Sequence, residues 1–287
     1  MNILVIYKKS LHQIYFNEYR QQLIDAHNVF SDVDRARLLA SHESHVHTRK
    51  HIEASLQSRG VRYKAFYRAR QVDYTPYDFV ISVGGDGTFL EAARQITTQP
   101  ILGVNSDPER SVGAFCPVTR DNFEAALDQV LAGACETVPL NRMFLSRNDD
   151  KPLRFLALND VLITHASPAA MSKYRLTVGD ATEDQNGSGL WICTAAGSTG
   201  GIRSAGGKVM ARRSKRLQYK PRELYSAGVN QYQLCGAIIP AACPLIIESR
   251  MREGCVYIDG THMHIPLPFA SRLEIRNADY PLRMVVT

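Results

Sequence analysis

The run Phe79-Val80-Ile81-Ser82-Val83-Gly84-Gly85-Asp86-Gly87-Thr88, with Phe89-Leu90-Glu91-Ala92-Ala93 after it, constrains this chain more than any other stretch. Five apolar or small residues without polar alternation read as a strand buried on both faces, as in a parallel sheet covered by helices. Gly84, Gly85 and Gly87 end the strand and let the backbone turn sharply into a helix expected over 89–97. Such a junction leaves bare N–H donors and the positive end of a helix dipole at the carboxyl edge of the sheet. Phosphate-bearing ligands bind well there. A carboxylate among these donors repels phosphate unless it has chemistry to do, which makes Asp86 the candidate general base. The bland alternative is that Asp86 caps the helix, a role that needs no surrounding glycines. The spacing matches neither a P-loop nor a dinucleotide-binding Gly-x-Gly-x-x-Gly turn.

The sequence before and after this junction extends the pattern. Ile3 to Tyr7 reads as a buried strand, the region up to Gly60 as helical, and Val61 to Phe66 as a second strand. Ile101 to Asn105 reads as a further strand, then a loop through Asp107-Pro108 and a helix over 121–132 that stops at Gly133. Alternating strands and helices predict an α/β domain with a parallel sheet over 1–134. Beyond it the chain becomes strand-rich: 142–148, 153–164, 173–179, 189–194, 234–239, 244–248, 255–258 and 272–277. Breaks of Gly, Pro and Asn-Asp between these runs predict a β-rich, sandwich-like antiparallel domain over 135–287.

Composition narrows the ligand. A net charge of +6 favours anionic partners, and no aromatic-studded nucleic-acid motif accompanies it, so a small phosphorylated ligand is expected rather than nucleic acid. The six cysteines (116, 135, 193, 235, 243 and 255) form no Cys-x-x-Cys pair or zinc-finger spacing and read as reduced thiols. No segment has the length of a membrane span or the order of a signal peptide, so a soluble cytoplasmic protein is expected.

Two further constellations carry chemistry. Leu190-Trp191-Ile192 leads into Cys193-Thr194-Ala195-Ala196-Gly197-Ser198-Thr199-Gly200-Gly201, with Ser204-Ala205-Gly206-Gly207 soon after. Small residues and hydroxyls crowded behind a strand suit a ligand with many acceptors; a flexible surface loop is the plain alternative. In Ala157-Leu158-Asn159-Asp160-Val161-Leu162-Ile163 an Asn-Asp pair interrupts an apolar strand. Burying it is costly unless both side chains find partners. Amide and carboxylate together could bond a ribose or an adenine edge, and a bulge or turn is the structural alternative.

Taken together, Gly84-Gly85-Asp86-Gly87-Thr88, Leu158-Asn159-Asp160 and Thr194-Ala195-Ala196-Gly197-Ser198-Thr199 resemble the NAD kinase family in order and spacing. Gly103-Val104-Asn105-Ser106-Asp107-Pro108-Glu109-Arg110-Ser111 and Ser188-Gly189-Leu190-Trp191-Ile192-Cys193-Thr194 resemble its mitochondrial-type branch. The resemblance runs from Lys8 to Asp259-Gly260. It implies an α/β nucleotide-binding domain followed by a β-rich domain, and transfer of the γ-phosphoryl of ATP to the adenosine-ribose 2′-hydroxyl of NAD or NADH, with Mg²⁺. Polyphosphate is an alternative donor. By this resemblance Asp86 accepts the hydroxyl proton, while Gly84, Gly85, Gly87 and Thr88 face phosphate. Asn159 and Asp160 hold the adenosine with Phe115 nearby, and Thr194, Gly197, Ser198, Thr199, Gly200 and Ser204 line the same pocket. The family usually associates, so a homodimer is expected. No residue is assigned as a protein ligand to metal.

Three positions depart from the family pattern. Asn159-Asp160 stands for the usual Asn-Glu, Ser188-Gly189 for Asp-Gly, and Gly200-Gly201 for Ala-Tyr, which removes an aromatic wall. Two rival readings share some of these features. A diacylglycerol- or sphingosine-type lipid kinase shares the Gly-Gly-Asp-Gly-Thr turn but not the later stretches. A non-catalytic dinucleotide sensor would not need Asp86.

Weaker signals are read conservatively. His42, His45, His47 and His51 fall at helical spacing and read as a solvated face rather than a metal site. The basic stretch Lys208 to Arg222 reads as a solvated surface segment. Lys8, at the end of the first strand, is open to either solvation or phosphate. Asp259-Gly260 reads as a hairpin turn.

Overall fold

The computed structural model of the chain describes residues 1–18, 29–148, 153–226 and 232–286. It divides into two compact units, Met1–Val138 with Arg283–Thr287, and Pro139–Leu282. In the first, strands β1 (Asn2–Tyr7), β2 (Arg62–Tyr67), β3 (Phe79–Gly84), β4 (Ile101–Asn105) and β5 (Glu136–Leu140) share one sheet with the final strand of the chain. Helices α1 (Asp32–Ser58), α2 (Asp86–Gln95) and α3 (Phe123–Leu131) alternate with them. The strand order is β2-β1-β3-β4, then the final strand, then β5, and the β1–β2, β1–β3 and β3–β4 pairs are parallel. β3 and β4 are buried along their whole length, as apolar strands without alternation must be. The chain leaves β1 for β2 on one side and reaches β3 on the other. The carboxyl ends of β1 and β3 therefore flank a topological switch point, where open α/β sheets take their ligands.

In the second unit the strands are β6 (Met143–Asn148), β7 (Leu153–Ala157), β8 (Asp160–His165), β9 (Ser172–Val178), β10 (Ala181–Gly187), β11 (Gly189–Cys193), β12 (Leu217–Arg222), β13 (Ala237–Ile239), β14 (Leu245–Ser249), β15 (Gly254–Ile258), β16 (His264–Pro266) and β17 (Arg272–Asn277). They form two six-stranded sheets, ordered β10-β9-β14-β17-β6-β7 and β13-β12-β11-β8-β15-β16. Alternate residues of both sheets fill one core: Leu145, Tyr174, Leu176, Ile247 and Ile275 from the first, Val161, Ile163, Leu190, Ile192 and Ile258 from the second. This is a β-sandwich whose period-two pattern puts one face of each sheet inside.

Four sequence expectations change. Unit 1 extends to Val138, and the chain end, assigned above to the second domain, returns to the first sheet as β18 (Leu282–Val286), parallel to β4 at Met284 and Ile101. The strand expected over 153–164 is two strands, β7 and β8, broken at Leu158-Asn159. The basic stretch is not all solvated surface: its second half is β12, an interior strand whose Leu217 and Tyr219 enter the core. The histidine stretch is not a solvated face either, because His45 is only 3% exposed and bonds the Lys8 carbonyl through Nε2 and Ser106 Oγ through Nδ1. Helix α1 stops beside Gly60, whose φ of +64° suits a glycine. Residues 19–28 of the expected N-terminal helical region lie outside the described residues.

Candidate functional site

In the first unit, chemistry gathers at the carboxyl ends of the parallel strands. Gly85 is the extended residue before α2, with no side-chain cap, and Asp86 already lies in the helix's first turn. The capping alternative thus fails. Asp86 instead reaches across to the turn at Gly113, where Oδ1 accepts the Phe115 N–H at 2.8 Å and Oδ2 the Ala114 N–H at 3.0 Å. Gly113 has φ +62°, and its Cα side packs against Asn105, so the turn fits no larger residue. The carboxylate is half-buried and fixed in orientation, and each oxygen keeps further acceptor capacity.

The three glycines of the turn differ in what demands them. A Cβ on Gly84 would overlap the Thr88 side chain, so this glycine serves the local fold. Thr88 is 1% exposed, and its Oγ1 has no hydrogen-bond partner among the described residues. A Cβ on Gly85 would come no nearer than 3.9 Å to Ser111, and one on Gly87 no nearer than 3.6 Å to an Arg68 nitrogen. Among the described residues no neighbour requires glycine at either position.

Two cations stand at adjacent strand ends. Lys8 follows β1, and burial holds its pKa below the ordinary lysine value, opposed by the charge of Asp107. Arg68 follows β2 and pairs with Glu91 of α2 at 3.3 Å. Behind them, the loop after β4 is tightly tied. Asn105 Oδ1 accepts from Asp107 N–H and Ser111 Oγ, while Asp107 accepts from Ser41 Oγ and Arg110. Phe115 is buried with its ring stacked on Phe89, centroids 5.3 Å apart. The Cys116 thiol is pushed up in pKa by burial and by the neighbouring Asp86 charge.

In the second unit the other two motifs come together around the break between β7 and β8. Asp259 organises that break. Its Oδ2 accepts the Leu158 N–H at 2.9 Å, and its Oδ1 accepts those of Asn159 at 2.7 Å and Asp160 at 3.2 Å. Its own N–H donates to the Asp160 carbonyl. This carboxylate replaces the ladder partners that Leu158 and Asn159 give up, and Asp259 adopts φ +50° to do so. It reads as a turn residue in sequence and is a structural acceptor in the fold.

The small-residue loop is fastened to the same break. Thr194 Oγ1 donates to the Leu158 carbonyl at 2.6 Å and accepts the Ala196 N–H at 3.1 Å, while the Thr194 N–H donates to the Asn159 carbonyl. Ser198 Oγ donates to Ala195 O and accepts the Met210 N–H. Both hydroxyls are buried and serve to shape the loop. Gly197 packs on the Asn159 backbone so closely that a Cβ would overlap its carbonyl. A Cβ on Gly200 would lie 3.4 Å from Asp160 Oδ2 and 3.6 Å from Asn159 Nδ2. Asn159, Asp160 and Gly200 thus converge, with Thr199 and Ser204 exposed on the same loop.

Asn159 Nδ2 donates to Asp160 Oδ2 at 3.1 Å. Burial, with the Asp259 charge adding to it, raises the Asp160 pKa to about 7. Among the described residues no cluster of three or more His, Cys, Asp or Glu could hold a metal ion.

A family model described as "ATP-NAD kinase N-terminal domain" matches residues 9–135. A probable NADH kinase of rice (Oryza sativa subsp. japonica) is 36% identical over 231 residues, covering 73% of this chain and 70% of that protein. The human mitochondrial NAD kinase 2 is 31% identical over 208 residues, 56% of this chain and 47% of that protein. Among solved structures, an NAD kinase from Archaeoglobus fulgidus in complex with ATP superposes with a TM-score of 0.70 at 22% identity, covering 100% of this chain and 94% of that one. That likeness establishes the two-part fold.

Proposed function

The chain belongs to the NAD kinase family, and from that membership we propose that it transfers the γ-phosphoryl group of ATP to the adenosine-ribose 2′-hydroxyl of NAD(H). The observation that carries this reading is Asp86, a carboxylate fixed by two backbone N–H groups beside Gly85 and Gly87, which no protein neighbour requires to be glycine.

In this reading the 2′-oxygen attacks the γ-phosphorus, the bond to the ADP oxygen breaks, and the hydroxyl proton passes to Asp86. Phosphoryl transfer has a loose transition state, so positioning and charge neutralisation carry most of the catalysis. The helical ladder starts with the Thr88 and Phe89 N–H groups on the Gly85 carbonyl, and in this reading the Asp86 and Gly87 N–H groups that precede it face developing phosphate charge. Lys8 and Arg68 add positive charge at the same sheet edge, and a magnesium ion held by the triphosphate would further offset the phosphate charge. Gly84 and Thr88 shape the turn.

Asn159 and Asp160 hold the adenosine, beside Gly200, Thr199 and Ser204. Thr194, Gly197 and Ser198 keep that loop on the Leu158-Asn159 break. Phe115, stacked on Phe89, backs the Asp86 turn. The proposal extends to a homodimer, which rests on the family resemblance. A cytoplasmic setting is supported by six free cysteines.

None of the relatives described above is named as a lipid kinase or a dinucleotide sensor. The test incubates the protein with Mg²⁺ and either ATP or polyphosphate, offering NAD, NADH or a lipid alcohol as acceptor. Formation of NADP or NADPH is expected, and the ratio of the two measures the preference between NAD and NADH. Phospholipid formation, or dinucleotide binding without turnover on either donor, would overturn the reading.

A further inference from the structure

The N–H groups that orient Asp86 belong to the turn at Gly113, and what holds that turn lies outside the glycine motif. Its outgoing arm is secured by its own side chain: the Phe115 ring stacks on Phe89, and the Cys116 N–H closes on the Gly113 carbonyl at 2.9 Å. The incoming arm has no such anchor. Val112 is 93% exposed, so burial does not fix it. The place of the Ala114 N–H, which holds Asp86 Oδ2, is therefore set by residues further back.

Asn105 ends β4 in register with Gly84 of β3 and is only 4% exposed. Its Oδ1 accepts the Asp107 N–H at 3.1 Å and the Ser111 hydroxyl at 2.7 Å, and its Nδ2 donates to the Ser111 carbonyl at 3.3 Å. The Ser111 N–H closes the same loop on the Asp107 carbonyl at 3.1 Å. Gly113 then lies flat on the Asn105 amide, where a Cβ would meet Nδ2 at 2.4 Å. One side chain thus places Ser111 and Gly113, the residues on either side of exposed Val112.

Helix α1 braces this clasp from outside. Ser41 Oγ donates to Asp107 Oδ2 at 2.6 Å, Ser44 Oγ donates to the Ser106 carbonyl at 2.9 Å, and His45 Nδ1 lies 2.9 Å from Ser106 Oγ. Positions i, i+3 and i+4 of a helix share one face, so three side chains bond the loop together. The Ser106 N–H in turn donates to the Gly84 carbonyl at 2.9 Å, joining the loop to the strand that leads into Asp86.

We propose that Asn105, acting with Ser111, is the positioning residue for Asp86, fixing the Ala114 N–H that aims the carboxylate. This assignment rests on the general-base reading of Asp86 and goes beyond it, since it places the control of the base on a buried amide at the end of the neighbouring strand. A clasp that only stabilised the fold would leave the reaction step alone.

The test compares Asn105→Ala and Ser111→Ala with wild type for turnover of ATP and NAD, each in the Asp86 and the Asp86→Asn backgrounds. Ser111 is half-buried, so its variant carries the test if Asn105→Ala does not fold. With Asp86 present, kcat should fall about tenfold while KM for NAD stays within about twofold, because a misplaced base slows the chemical step. Ser111→Thr, which keeps the hydroxyl, should restore most of kcat. With Asp86→Asn the same substitutions should cost less than about twofold, since the group they position is gone. Amide hydrogen exchange followed by NMR reads the link without activity: Ala114 should lose protection in both variants, and Phe115 less. Equal losses of kcat in the two backgrounds, or unchanged Ala114 protection, would overturn the positioning role and leave the kinase reading standing. Turnover in Asp86→Asn equal to wild type would overturn the general-base reading and the positioning role with it.

Discussion

Removing the Asp259 carboxylate tests the architecture of the break between β7 and β8. Its two oxygens accept three backbone N–H groups at 2.7–3.2 Å. Leu158 and Asp160 are buried, at 1% and 8% exposure, while Asn159 can recover a water. A buried N–H left without an acceptor costs about 1–3 kcal/mol, so the two buried groups give about 2–6 kcal/mol in Asp259→Ala. Alanine at the positive φ of Asp259 adds to the cost. Loss of a like charge near Asp160 works the other way, and a net destabilisation of about 3–5 kcal/mol is expected. Asp259→Asn keeps one oxygen for the Asn159 and Asp160 donors and turns an amide against Leu158, so it should cost about 1–3 kcal/mol. Urea denaturation of the three proteins, compared at equal m-value, reads the order. Because Asn159 and Asp160 ride on this break, KM for the dinucleotide should rise more than kcat falls. An Asp259→Ala protein within about 1 kcal/mol of wild type would refute the role given to the carboxylate.

Two pH predictions follow from buried groups in different units. Asp160, raised to about 7, binds a proton in the folded protein that the unfolded chain has lost. It therefore lowers stability as pH climbs from about 4 to 7, and Asp160→Asn should remove that slope. Ribose hydroxyls donate to the ionised form, so NAD affinity should increase through pH 7 in wild type and stay flat in Asp160→Asn. Equal pH dependence in both proteins would contradict the assignment. His45, held at about 4 chiefly by burial, acts in the opposite sense. The unfolded chain takes up its proton first as pH falls below about 6.5, so stability is lost between there and pH 4, by up to about 3 kcal/mol. His45→Gln should flatten that limb in thermal melts; an unchanged acid limb would place the loss elsewhere.

How much of this was legible depended on where the physical signal sat. β1, β3 and β4 are mostly apolar and do not alternate, and the glycine turn after β3 announces itself, so the parallel domain and the turn that carries Asp86 could be read directly. β10, Ala-Thr-Glu-Asp-Gln-Asn-Gly, has no apolar residue beyond its first and is an edge strand held by its ladder to β9, so composition hid it. In β12, Lys220 and Arg222 masked the inward residues Leu217 and Tyr219. The last strand pairs with β4 through Met284 and Ile101, far apart in the chain, and no local pattern reports such a return. Asn159 and Asp160 stood out as polar residues in an apolar run. The acceptor that makes their break affordable, Asp259, lies about a hundred residues on and resembles an ordinary turn. The histidines at helical spacing looked alike in sequence, and only packing against Lys8 and Ser106 separates His45 from His47.

In the proposed reaction Asp86 takes the proton of the 2′-hydroxyl. Asp86→Asn keeps an oxygen toward the Phe115 turn and should keep NAD binding within a few-fold by calorimetry. NADP formation from ATP and NAD should fall at least about a hundredfold, as loss of a positioned general base does. Turnover near wild type in that variant, with NAD still bound, would contradict the account.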